Sequence, residues 1–194
     1  MTVTAELLAT LRSALAQRRV LVGVGAGIAA YKVCSVVSAL AQVGAEVQVA
    51  MSEGATKFVG PLTFEALSGK PVLTSLWSQQ SPGDPQHIAV AERTELMLVA
   101  PCTMDQLSRF AAGRADDIVS LLVASIDRSR ARVLLAPSMN DAMWRQPATQ
   151  RNLRQLAEDG FQIVQPASGW QACRTIGVGR LPEPEALLRA LVAE

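Results

Sequence analysis

The chain has 194 residues, long enough for one well-buried domain and short for two. With 49% hydrophobic and 18% charged residues the composition argues against disorder, and a net charge of +1 gives no footprint for nucleic acid or an anionic membrane surface. The expected partner is a small molecule or another copy of the chain, and no apolar run reaches the ~18 residues that span a bilayer.

Residues 1–18 read as an amphipathic helix of the same domain, with Glu6 early and arginines late, unlike a signal peptide, so the cytoplasm is the expected compartment. Residues 19–194 then alternate strand-like runs with helix-length segments. The strands are expected at Arg19–Gly25, Glu46–Met51, Leu96–Ala100, Arg132–Ala136 and Phe161–Val164. That alternation predicts an α/β fold, a single-domain doubly wound parallel sheet. Two stretches rich in proline and glycine, Ser78–Gln86 and Ser168–Pro184, are expected as surface loops.

Ligands of such sheets bind where strands end at their carboxyl edge. After the first strand comes GVGAGIAA, residues 23–30, whose glycines let the backbone approach a phosphate or flavin ring at a helix amino terminus. Gly25–Ala30 also fits a GxGxxA dinucleotide fingerprint with Glu53 as the ribose acid, while Ser52 at the second strand's tip suits a mononucleotide phosphate. A tight turn without a ligand is the third reading. His87, the sole histidine, follows the first loose stretch as the chain approaches the sheet; it suits proton transfer, although a lone histidine is more often structural. Thr103 follows the third strand, where capping alone would explain it, and Asp116 and Asp117 read as structural residues at a helix start.

PSMNDAMW, residues 137–144, follows the fourth strand. Asn140 is placed to orient a carboxylate or amide, with Met139, Met143 and Trp144 as apolar walls; a capping asparagine with core methionines is the alternative. Cys34, Cys102 and Cys173 form neither a CxxC pair nor a metal set, so no metal site is expected. Cys173 lies within the glycine-bounded segment Gly169–Arg180; it could be a buried filler, but such a segment is a poor place for one, and Arg174 and Arg180 would favour its thiolate.

Together GAGIAAYK at Gly25–Lys32, KFVGPLTFEALSG at Lys57–Gly69, APCTMDQLSRFAAGRADD at Ala100–Asp117, PSMNDAMW, PATQRNL at Pro147–Leu153 and ACRTIGVGRL at Ala172–Leu181 resemble the homo-oligomeric flavin-containing cysteine decarboxylases, over nearly the whole chain. The resemblance implies a flavodoxin-like three-layer sandwich that binds FMN through Gly25, Ala26, Gly27, Ser52 and Thr103. It implies decarboxylation of 4'-phosphopantothenoylcysteine to 4'-phosphopantetheine in coenzyme A biosynthesis. The catalytic set would be His87, Asn140 and Cys173, with Asn140, Met143, Ala172 and Arg180 contacting substrate and a substrate flap near residues 168–184. Asn140 would hold the substrate carboxylate, His87 would serve oxidation and decarboxylation, and Cys173 would be the acid in the final reduction. A homotrimer or multiple of trimers is implied, with His87 and Asn140 meeting across an interface. Peptidyl-cysteine decarboxylation and a non-catalytic flavin-binding subunit are the alternatives. Arg174 stands where the family pattern has glycine, Leu181 replaces a methionine, and the histidine context is HIAV instead of HIEL.

Overall fold

The computed structural model describes residues 3–77 and 86–193. Most of the expected loop at Ser78–Gln86 lies outside the described residues, and Gln86 itself opens a helix. Helix α1 (Ala5–Leu15) starts at Thr4, whose hydroxyl accepts from Leu7 N, and its leucines 7, 11 and 15 recur on one face and are buried. Burying each is worth about 2 kcal/mol, which docks α1 onto the domain.

Four strands carry the sheet: β1 (Arg19–Val24), β2 (Glu46–Met51), β3 (Leu96–Cys102) and β4 (Arg132–Pro137). Each is almost entirely buried, as continuous apolar runs require when helices cover both faces. With β5 (Gln162–Ile163) they form a parallel sheet in the order β2-β1-β3-β4-β5. The direction of winding therefore reverses between β1 and β3, the switch point of a flavodoxin-like fold.

Helices α1, α2 (Ala30–Gln42), α3 (Pro61–Ser68) and α9 (Pro184–Val192) share one core with one face of the sheet; α4 (Gln86–Arg93), α5 (Met104–Ala111), α6 (Ile118–Ser125) and α8 (Pro147–Glu158) share the other. Asp117 caps α6 through Val119 N and Ser120 N while Arg109 bridges Asp105, Asp116 and Asp117, so the paired aspartates are structural, as expected.

One expectation needs correction. Residues 168–184 are not a loose loop: β6 (Ala167–Trp170) and β7 (Ile176–Arg180) pair as an antiparallel hairpin, and α9 follows at once. Its strands are short and glycine-bearing, and they bury only part of their alternating faces, so the sequence lacks a strand signature there. The hairpin loop, Gln171–Thr175, closes through Arg174 N to Gln171 O at 2.9 Å and Gln171 N to Thr175 O at 2.8 Å. Arg174 occupies its left-handed position at φ +65°, which glycine would adopt without the Cβ cost of about 1 kcal/mol. The arginine departure therefore leaves the turn formed, with local backbone strain at its tip.

Candidate active site

The carboxyl ends of β2, β1, β3 and β4 place Ser52, the Gly25–Ala29 turn, Thr103 and Asn140 side by side along one edge, three interstrand steps or about 14 Å from end to end. Backbone bonds lock these segments together: Ser52 N donates to Val24 O at 3.0 Å, Gly25 N to Pro101 O at 3.1 Å, and Ser138 N to Cys102 O at 2.9 Å.

The two outer glycines of the turn differ in purpose. A Cβ at Gly25 would overlap Pro101 O and Gln106 Oε1, so that glycine is demanded by the chain's own packing at the switch point. Around Gly27 the nearest heavy atom to an added Cβ is Pro101 Cγ at 3.7 Å, an ordinary contact. No packing requirement fixes glycine there, and its backbone is open to a ligand. Helix α2 begins just beyond with Ala29 at its cap and no side chain satisfying its first amides. Ser52 and Thr103 cap the next helices, accepting from Ala55 N at 3.3 Å and from Gln106 N at 3.1 Å. Each cap uses hydroxyl acceptor capacity and leaves the O–H free to donate toward an anion. Gln106 completes the capping box by accepting from Thr103 N at 3.0 Å, and its buried Nε2 has no partner among the described residues.

Asn140 shows why its capping and binding readings are compatible. It caps the short helix α7 (Asp141–Trp144), with Oδ1 accepting from Met143 N at 2.8 Å. Asn140 is exposed, and that bond orients the amide while leaving Nδ2 able to donate. Met139 lines the adjacent cavity, whereas Trp144 packs against the core and is not a wall of the cleft. Met143 is half-exposed and lies outside the cavity lining.

The β6–β7 hairpin folds over this edge. Met139 N donates to Gly179 O at 2.9 Å, and Val178 N donates to Asp141 Oδ1 at 3.1 Å. Gly179, at φ +119°, could carry no side chain without overlapping Met139 O. Between hairpin and edge lies a cavity of about 410 Å³, lined by Gly27, Lys32, Asn140, Ala172, Cys173 and Arg180 among others. Cys173 is exposed, with Sγ 3.0 Å from Thr175 Oγ1 and 3.6 Å from Gln171 Oε1. Cys102 is fully buried and burial raises its thiol pKa, so it is no rival nucleophile or acid.

At the hairpin base Lys32, largely buried, donates to Leu181 O at 3.3 Å and to Glu183 Oε1 at 2.8 Å, and Arg180 pairs with the same carboxylate oxygen. The Lys32 hydrogen bond is the main cause that holds the Glu183 carboxyl below its ordinary value. One carboxylate thus faces two cations, leaving the cavity wall net positive. Sequence reading passed over Lys32, Glu183 and Gln171; only the buried lysine carried a signal, a cation at i+2 of a helix whose neighbours are apolar.

Gly27, Asn140, Ala172, Cys173 and Arg180 are thus brought to one cavity. Ala26, Ser52 and Thr103 stand on the same edge outside its lining, and Gly25 lies beneath it. His87 is not brought there within one chain: it sits in the first turn of α4, half-buried, away from the lining residues. A second cleft of about 260 Å³ lies at the opposite edge, lined by Arg19, Glu46, Gln48, Lys70 and Arg93 among others, and holds none of the expected site residues. Glu53 is exposed at the start of a short 3-10 helix.

The coenzyme A biosynthesis bifunctional protein CoaBC of Mycolicibacterium smegmatis is 44% identical over 172 residues, covering 89% of this chain and 40% of the relative. The chain therefore spans about two fifths of that relative's length. The crystal structure of the FMN-dependent cysteine decarboxylase SpaF is 31% identical, covers 91% of this chain and 96% of that one, and superposes with a TM-score of 0.77. A PPC decarboxylase mutant complexed with pantothenoylaminoethenethiol shares the fold, with a TM-score of 0.79 at 24% identity over 90% of this chain and 96% of that one. The profile of the Flavoprotein family matches residues 8–194, and the chain belongs to that family.

Proposed function

We propose that this chain binds FMN along the carboxyl edge of its sheet and decarboxylates 4'-phosphopantothenoylcysteine to 4'-phosphopantetheine, a cytoplasmic step of coenzyme A biosynthesis. The observation that carries the reading is the single cavity that gathers Gly27, Asn140, Ala172, Cys173 and Arg180 from three distant parts of the chain. Similarity to CoaBC and to the cysteine decarboxylase SpaF supports it.

The edge fits a mononucleotide. Gly27 leaves the backbone approachable, α2 opens without a side-chain cap, and the Ser52 and Thr103 hydroxyls can each donate to a phosphate or ring oxygen. FMN, when bound, supplies a reversible two-electron acceptor beside the substrate. The protein's own residues do the rest. Asn140 Nδ2 donates to the substrate carboxylate and holds it beside Met139. Loss of a hydride from the cysteinyl β-carbon and a proton from the thiol gives a thioaldehyde; CO2 then leaves, and its electron pair delocalises into an enethiolate. Cys173 on the hairpin supplies a proton as the enethiolate is reduced, so the overall change is loss of CO2 alone. Arg180 and Lys32 give the wall the positive charge that suits an anionic substrate.

Ile28, Tyr31 and Trp170, each 60–62% exposed at the cavity rim, support an assembly in which a neighbouring subunit covers the site. A trimer or multiple of trimers places His87 of one copy against the edge of another.

The test is a visible spectrum of the purified protein followed by CO2 release from 4'-phosphopantothenoylcysteine. A flavin spectrum with stoichiometric CO2 and 4'-phosphopantetheine is expected. Tightly bound NAD without flavin, or flavin without CO2, contradicts the reading. The peptidyl-cysteine alternative that the resemblance implies is tested in the same assay, and faster turnover of a peptide ending in cysteine would select it.

A further inference from the structure

We infer that Gln171 is a positioning residue that ties the carboxylate-binding loop and the proton-donating thiol into one unit, an inference that rests on the decarboxylase reading above. Its side chain is 93% buried in the hairpin loop, outside both hydrophobic cores, and makes four hydrogen bonds. Oε1 accepts from Asp141 N at 3.2 Å and from Cys173 Sγ at 3.6 Å. Nε2 donates to Val178 O at 3.0 Å and to Met139 O at 3.4 Å. Because three partners are backbone groups, one N–H and two carbonyls, the amide can face only one way.

The consequence is geometric and electrostatic. Met139 and Asp141 flank Asn140, so Gln171 grips the backbone on both sides of the residue that would hold the carboxylate. The same oxygen accepts from the Cys173 thiol at 3.6 Å and holds its sulfur beside the cavity. Thr175 Oγ1 at 3.0 Å holds the thiol from the other side. A single amide thus sets the relation between the group that binds the leaving carboxylate and the group that protonates what remains.

Gln171→Leu removes the acceptor, so the thiolate is less disfavoured and alkylation of Cys173 by iodoacetamide should quicken about threefold or more. Gln171→Glu places an anion there, so alkylation should slow about tenfold at neutral pH. Opposite signs are the signature: a residue that only packs the hairpin would loosen it in both variants and speed both reactions. Peptide mass spectrometry reads Cys173 separately from Cys34 and Cys102.

With 4'-phosphopantothenoylcysteine, Gln171→Glu should raise the ratio of oxidised enethiol to 4'-phosphopantetheine about tenfold, because the thiol becomes a poorer acid. Gln171→Asn keeps an amide too short to span all four partners; it should follow Gln171→Leu, and it serves if Gln171→Leu does not fold. Alkylation rates that move in the same direction in Gln171→Leu and Gln171→Glu, or an unchanged product ratio in an active Gln171→Glu enzyme, overturn the inference. Absence of CO2 from the wild-type protein overturns the decarboxylase reading instead, and the alkylation rates still decide the role of Gln171, since they require no turnover.

Discussion

Asn140 Oδ1 caps α7, and its Nδ2, with no hydrogen bond among the described residues, is the donor that the proposed reading assigns to the substrate carboxylate. Asn140→Asp separates the two roles, because a carboxylate still accepts from Met143 N but has no donor and repels the substrate's own carboxylate. The loss of a charge-assisted bond with added repulsion costs roughly 2–4 kcal/mol, so kcat/KM should fall about 30- to 1000-fold while flavin retention and melting temperature stay close to wild type. Steady-state kinetics with a thermal melt checks this; wild-type turnover would reduce Asn140 to its cap. Asn140 was legible in the sequence because a polar residue after a buried strand falls at the ligand edge by topology alone. Gln171 was not, since its meaning comes from Met139, Asp141 and Val178, partners that only the folded hairpin brings to it. Gly25 has a packing reason that the sequence did not show, since an added Cβ would overlap Pro101 and Gln106.

At the scale of elements, Lys32 ties α2 to the segment between β7 and α9, donating to Leu181 O just beyond β7 and pairing with Glu183 at the start of α9. Lys32 holds the Glu183 carboxyl pKa down, so the ion pair stabilises the fold fully above the unfolded carboxyl value of about 4.5 and progressively less as pH falls through the folded value. Lys32→Met should cost about 1 kcal/mol near neutrality, lowering the melting temperature by about 2–4 °C, and that deficit should shrink below about pH 4.5. A deficit of equal size from about pH 7 to pH 4 would show that Lys32 acts through packing instead. The five parallel strands and most helices were legible because apolar runs and caps are local signals. The hairpin was hidden because its glycines, which make room for Met139 O and the Asp141 side chain, read as loop chemistry.

At the scale of the molecule, alternation of strands and helices foretold the parallel sheet, while the order β2-β1-β3-β4-β5 and the switch point came from the structure. His87 remains apart from the cavity within one chain, so its proposed role requires a neighbour. Native mass measured by light scattering should be a multiple of three subunits, and a fully active monomer would remove His87 from the site. In the proposed reaction this edge divides the work between Asn140, which holds the carboxylate, and Cys173, which completes the reduction. Mass spectrometry of the products made by Cys173→Ser from 4'-phosphopantothenoylcysteine tests that division most directly. An alcohol is a far weaker acid than a thiol, so the variant should release CO2 and accumulate an enethiol lighter than 4'-phosphopantetheine by two hydrogens, with flavin left reduced; normal product at the wild-type rate would remove Cys173 from the reduction.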